Sequence, residues 1–116
     1  MHSEIKSIFD NFIIENEKIP VSHMKYSGTS NTYVIWTIIG ETPALIGNDD
    51  PLYSVVQVDF DIYSDKNYLK ILDKIKEKMK ANDWVWVEDS VEMFENDTQL
   101  FHRTTTFEKE RNIENG

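Results

Sequence analysis

The sequence predicts an α+β domain: a mostly antiparallel sheet of four to five strands with two helices packed on one face, in the order α-β-β-β-α-β-β. Three observations predict it. Residues 53–63 alternate apolar and polar side chains, the period of a half-buried strand. Shortly after, Tyr68, Ile71, Leu72, Ile75 and Met79 form the i, i+3, i+4, i+7, i+11 stripe of an amphipathic helix. Most connections are of hairpin length, which favours antiparallel neighbours, and helices laid across a one-sided sheet bury its apolar face.

Taken in order, Ile5, Ile8, Phe9, Phe12 and Ile13 recur at helical spacing and predict a first helix over 3–15 with Ser3 as N-cap. Pro20 stops any continuation. Residues 21–26 suit a short strand, and Ser27-Gly28-Thr29-Ser30-Asn31 is turn chemistry. Residues 33–39 are β-branched and aromatic, hence a strand. It is apolar on both faces, so one side is expected to meet the helices and the other, around Trp36, something outside the monomer. Residues 40–52 hold two prolines and the pair Asn48-Asp49, and read as a loop longer than the usual span of about 4–6 residues. Its apolar centre, Ala44, Leu45 and Ile46, followed by Asn48, Asp49 and Asp50, marks a candidate assembly loop.

In the strand that follows, Val56, Val58, Phe60 and Ile62 point one way, and Val55, Gln57, Asp59, Asp61 and Tyr63 the other. A slip of one residue buries both aspartates, so the register is well specified. Ser64-Asp65 supplies an N-cap for the second helix, and Asn82-Asp83 closes it. Residues 84–87 and 91–94 read as one strand bent near Asp89-Ser90. Residues 95–98 form a hairpin turn, 100–107 the last strand, and 108–116 a charged, frayed tail.

Length and composition bound the rest. A chain of 116 residues is expected to form a single domain over 1–116. With 40% apolar residues it is globular rather than disordered. It has no cysteine, which fits a reducing compartment. The longest apolar stretch is far short of a bilayer span, so no membrane partner is expected, and the first residues lack the basic region of a signal peptide. A net charge of −9 argues against nonspecific nucleic-acid binding. Six of the twelve basic residues, Lys66, Lys70, Lys74, Lys76, Lys78 and Lys80, fall in the second helix region, where they read as a solvated face.

The search for chemistry yields no catalytic set, no cofactor site and no metal site. Asp59 and Asp61 place two carboxylates on one side of a strand, about 7 Å apart, but no third oxygen ligand lies nearby in sequence. His23 and His102 each lack a second His or Cys at ligand spacing. No serine or threonine occupies a nucleophile elbow, and Gly28 and Gly40 form no phosphate loop. Trp36, Trp84 and Trp86 are candidate interface aromatics rather than a base-stacking platform, given the acidic charge.

Two stretches carry a family resemblance: Val56-Gln57-Val58-Asp59-Phe60-Asp61-Ile62-Tyr63-Ser64, followed by a helix with Tyr68 and Leu72, and Phe94-Glu95-Asn96-Asp97-Thr98-Gln99-Leu100-Phe101-His102-Arg103, followed by a strand. With the opening helix and the 33–39 strand, they resemble the tail terminator, or tail-to-head joining, proteins of long-tailed bacteriophages, over residues 5–107. The resemblance implies a structural, non-enzymatic protein of the virion tail or neck, assembled in the host cytoplasm. It implies a homo-oligomeric ring, usually a hexamer, that caps the tail-tube protein, stops tube growth and meets the head-tail connector or stopper protein. DNA then passes through an acidic lumen without specific binding. On that implication Gln57, Asp59 and Asp61 form a candidate lumen or subunit-contact face. Three alternatives stand beside it: a head-side neck or head completion protein, an acidic DNA-mimic inhibitor, and a small metal-dependent hydrolase using Asp59, Asp61 and His102.

Overall fold

The computed structural model describes residues 2–44 and 53–112. Helix α1 (His2–Ile8) opens the chain, followed by β1 (Ile13–Ile14), β2 (Glu17–Lys18), β3 (Val21–His23), β4 (Thr32–Ala44) and β5 (Tyr53–Ser64). Helix α2 (Leu69–Ala81) then leads to β6 (Val85–Asp89), β7 (Met93–Glu95) and β8 (Leu100–Asn112). The fold is α+β, but the sheet is mixed and six-stranded, not mostly antiparallel with four to five strands. Its order is β3-β4-β5-β8-β6, with β7 also pairing β8. The mixture arises at one edge, where β3 runs parallel to β4 with Val21 opposite Val34. The crossover is made by residues 24–31, among which Met24 adopts a left-handed backbone, φ 67°.

Both helices are shorter than the apolar spacing suggests. α1 ends at Ile8, and Ser3 lies inside it rather than capping it. Asn11 takes φ 55°, and Glu15 and Asn16 take φ 50° and 68°, the two left-handed residues of a tight hairpin turn between β1 and β2. Phe9 and Phe12 still reach the core from this irregular segment, so their spacing reflects shared burial, not continuous helix. At α2 the first-turn cap is not Ser64-Asp65. Tyr68 occupies the N-cap position, and the Asn67 side chain accepts from the Leu69 amide at 2.9 Å. The C-terminus closes as a Schellman motif: Asp83 N–H donates to Lys80 O and Trp84 N–H to Met79 O, with Asp83 left-handed at φ 68° and Trp84 and Met79 both buried.

One core lies between the helices and the sheet. Val56, Val58, Phe60 and Ile62 of β5 form its floor, and Ile71, Leu72, Ile75 and Met79 of α2 cover it together with Ile5 of α1. Each fully buried side chain of this kind contributes about 1.5–3 kcal/mol before entropy is counted. The alternation of β5 is complete, every second residue from Ser54 to Ser64 being buried.

Two segments expected to be irregular are strand. β4 continues through Gly40–Pro43 opposite β5, with a register shift between Ile38 and Gly40, and β8 runs on to Asn112 opposite Tyr53. Backbone pairing with β5, on both of its edges, holds these charged ends in place. Leu45, Ile46, Asn48, Asp49 and Asp50 of the candidate assembly loop lie outside the described residues; Ala44 ends β4.

Candidate functional site: the open face of the sheet

The face of the sheet turned away from the helices carries the predicted residues Gln57, Asp59 and Asp61. Cross-strand partners share a face, so the antiparallel register also places there Tyr33, Ile35 and Thr37 of β4 and His102, Thr104, Thr106, Glu108 and Glu110 of β8. Glu88 of β6 joins them opposite Thr106. Asp59, Asp61, Glu88, Glu108 and Glu110 thus share one surface, and none of these strand positions holds Lys or Arg.

Both aspartates are held by β8. Thr106 Oγ1 donates to Asp59 Oδ1 at 2.5 Å, and Thr104 Oγ1 to Asp61 Oδ1 at 2.6 Å. His102 Nε2 lies 2.9 Å from the same Asp61 oxygen, and its Nδ1 lies 3.9 Å from Glu95 Oε1. Gln57 Nε2 donates to Glu108 Oε2 at 3.2 Å. Burial raises the Asp59 carboxyl above its ordinary value; repulsion from Asp61 and Glu88 adds to this, and the bond from Thr106 opposes it.

Beside the acids runs a ladder of stacked rings. Centroid separations are 4.4 Å for Tyr26–Tyr33, 4.9 Å for Tyr33–Tyr63 and 4.2 Å for Tyr63–His102, with interplanar angles of 23° or less. Burial first, then Asp61, Glu95 and Tyr33, push the Tyr63 hydroxyl up to about 12. The surface is therefore ordered and acidic. Its carboxylates accept bonds from neighbouring threonines instead of converging on a common point. Among the described residues, no group of three or more His, Asp or Glu side chains has the arrangement of a metal site.

The three tryptophans separate. Trp36 and Trp84 are only 4% and 3% exposed and belong to the core; Trp86 alone offers surface, at 50%. The side of β4 that bears Trp36 is thus the one that meets the helices, and the open side carries Tyr33, Ile35 and Thr37. The Trp36 ring is flanked by the imidazoles of His23 and His2 at 4.2 and 5.6 Å. Trp84 Nε1 donates to Glu4 Oε1, which also binds Lys109 Nζ at 2.8 Å.

Sequence reasoning missed the ring ladder and the acids of β8. The signal was present as a second alternation, His102, Thr104, Thr106, Glu108 and Glu110, but was hidden by reading 108–116 as a tail. The lysine face of α2 is partly committed within the molecule. Lys66 reaches Glu17 at 2.7 Å, Lys70 pairs with Glu15, and Lys76 reaches Asp89 at 2.8 Å. No described helix is long and apolar enough to cross a membrane. No protein-family model matches the chain, and no curated protein matches it either.

Proposed function

We propose that this chain is a subunit of a bacteriophage tail terminator: a homo-oligomeric ring, with six copies as the expected number, that caps the tail tube, stops its growth and offers the joining surface to the head-tail connector. The observation that carries this reading is the open sheet face. It is an ordered surface bearing Asp59, Asp61, Glu88, Glu108 and Glu110, with its threonine and histidine donors already engaged. Turned toward a lumen, such a face repels DNA phosphates and gives them no cationic partner, so that DNA slides without sticking. The far ends of β4, β5 and β8 support contact beyond the monomer. Strands of 12 and 13 residues reach about 40 Å, against about 20 Å for the 13-residue α2, and Glu41, Thr42 and Pro43 are exposed.

The test is assembly of tails with and without the protein. Electron microscopy of particles made without it should show overlong tubes or tails lacking heads; normal joined virions refute the proposal. Pull-down separates the neighbouring role: capture of a portal-side protein but no tail-tube protein moves the chain to the head side of the neck. The same acid row suits an inhibitor that mimics DNA, and stoichiometric binding to a basic nuclease or repressor in place of tube protein favours that role.

A further inference from the structure

Six of the ten exposed large apolar side chains among the described residues lie in one short stretch: Val85, Trp86, Val87, Val91, Met93 and Phe94. β6 and β7 are collinear pieces of one edge strand, both paired to β8, and no other described strand pairs with them. Their junction is tied down. Arg103 Nε donates to Ser90 O at 2.6 Å, Arg103 Nη1 donates to the Tyr68 hydroxyl at 3.1 Å, and that hydroxyl donates to Glu92 at 2.5 Å. Trp86 is held at the surface by Lys76, whose ammonium lies 4.6 Å from the ring centroid. This is an ordered, apolar sheet edge without the lysine or proline that ordinarily blunts one.

The occupant is indicated by charge. Residues 85–95 carry Glu88, Asp89, Glu92 and Glu95 and no Lys, Arg or His. Lys76 neutralises Asp89, which leaves Glu88, Glu92 and Glu95 on the rim. Two such edges facing one another repel. The opposite edge of the same sheet, β3, has the complementary character. Lys6 and Lys25 are exposed and make no ion pair among the described residues. The depression between α1 and β3, which includes His2, Lys6, His23 and Trp36, has no carboxylate in its lining. Met24, 65% exposed, supplies an adaptable apolar contact beside it.

We infer that the β6–β7 edge of one copy docks on the β3 edge of the next, joining copies head to tail. Such a contact is heterologous, so repetition of it gives a ring when the rotation closes. Strand addition satisfies backbone groups on both edges, while the apolar strip and the opposed charges set direction. The inference rests on the self-association in the ring proposal and names its surfaces.

Two sets of variants test it. Glu88→Lys with Val91→Lys alters one edge, and Lys6→Glu with Lys25→Glu the other. Each double variant alone should weaken self-association, measured by sedimentation, about tenfold or more. An equal mixture should recover it, because each supplies the edge the other lacks and the reversed charges also match. The chain has no cysteine, so Val87→Cys and Met24→Cys each introduce a single thiol. With a short bis-maleimide, a mixture of these two single variants should give a heterodimer bridged through the two introduced thiols, and neither variant alone a dimer. A Val87→Cys homodimer, or no cross-link in the mixture of folded proteins, overturns the inference. Tube capping by a chain that fails this test removes the contact and leaves the tail proposal standing. Cross-linking by a chain with no effect on tube length does the reverse.

Discussion

Replacing Asp59 with Asn is expected to stabilise the fold at neutral pH. The carboxyl lies above its ordinary value of 3.8 mainly because burial penalises its charge, with Asp61 and Glu88 adding repulsion against the bond from Thr106. Asn removes the charge while its Oδ1 still accepts from Thr106. Two carboxylates about 7 Å apart on one strand repel by about 0.6 kcal/mol in water and about 2.4 kcal/mol at a dielectric of about 20. Both side chains are partly exposed and salt screens over about 8–10 Å, so the lower end applies, and a gain of about 0.5–1 kcal/mol is expected. For a chain of this size that is a rise of about 2–4 °C in Tm. An acid whose value is raised by folding favours the folded state when protonated. Its contribution is complete below 3.8, is lost as pH rises from there through the higher folded value, and stays lost above it. The advantage of the Asp59→Asn variant should therefore appear in urea unfolding at neutral pH and shrink toward zero well below 3.8. Lower stability at neutral pH, or an equal gain at both, refutes the reasoning. Confirmation means that the charge of Asp59 on this face is carried at a cost to the fold.

Two other perturbations probe the frame around that face. Phe60 is fully buried, with ring centroids 5.0 Å from Phe9 and 5.8 Å from Phe107, so Phe60→Ala should cost about 3–5 kcal/mol in chemical denaturation; a loss below about 1 kcal/mol contradicts its central place in the core. Tyr63, pushed up to about 12, should be the late component of the spectrophotometric tyrosine titration. Because the folded state holds that proton more tightly, its contribution is present below 10.0 and lost as pH rises toward 12. Tyr63→Phe should remove both the late component and that part of the alkaline destabilisation. An unchanged titration assigns the high value to another ring.

Much of the fold was legible in residue patterns whose cause is local. The alternation at 53–63 and the stripe from Tyr68 to Met79 survive intact, because a strand or helix with one buried face must repeat at its own period. The bend near Asp89-Ser90 is where β6 gives way to β7. The first helix was overextended because Phe9 and Phe12 enter the core from the irregular segment after α1, and shared burial mimics helical spacing. The parallel pairing of β3 was not legible, since a three-residue strand carries no mark of its neighbour's direction.

The candidate site divides in the same way. Local order along the chain determined that Gln57, Asp59 and Asp61 oppose the core, since period two admits no other face. Whether that face is an active site, a metal site or a passive surface depended on what stands across from it, and only tertiary structure brings Thr104 and Thr106 onto the aspartates and His102 onto Tyr63 from 39–47 residues away. The tryptophans differ for the same reason. All three sit beside β-branched residues in sequence, but His2 of α1 and His23 of β3 flank Trp36, and Glu4 of α1 and Lys109 of β8 hold Trp84, while Trp86 lies at a sheet edge that the described fold leaves open. Burial of a side chain is a property of what packs over it, and a linear pattern specifies a side chain's face before it specifies its cover.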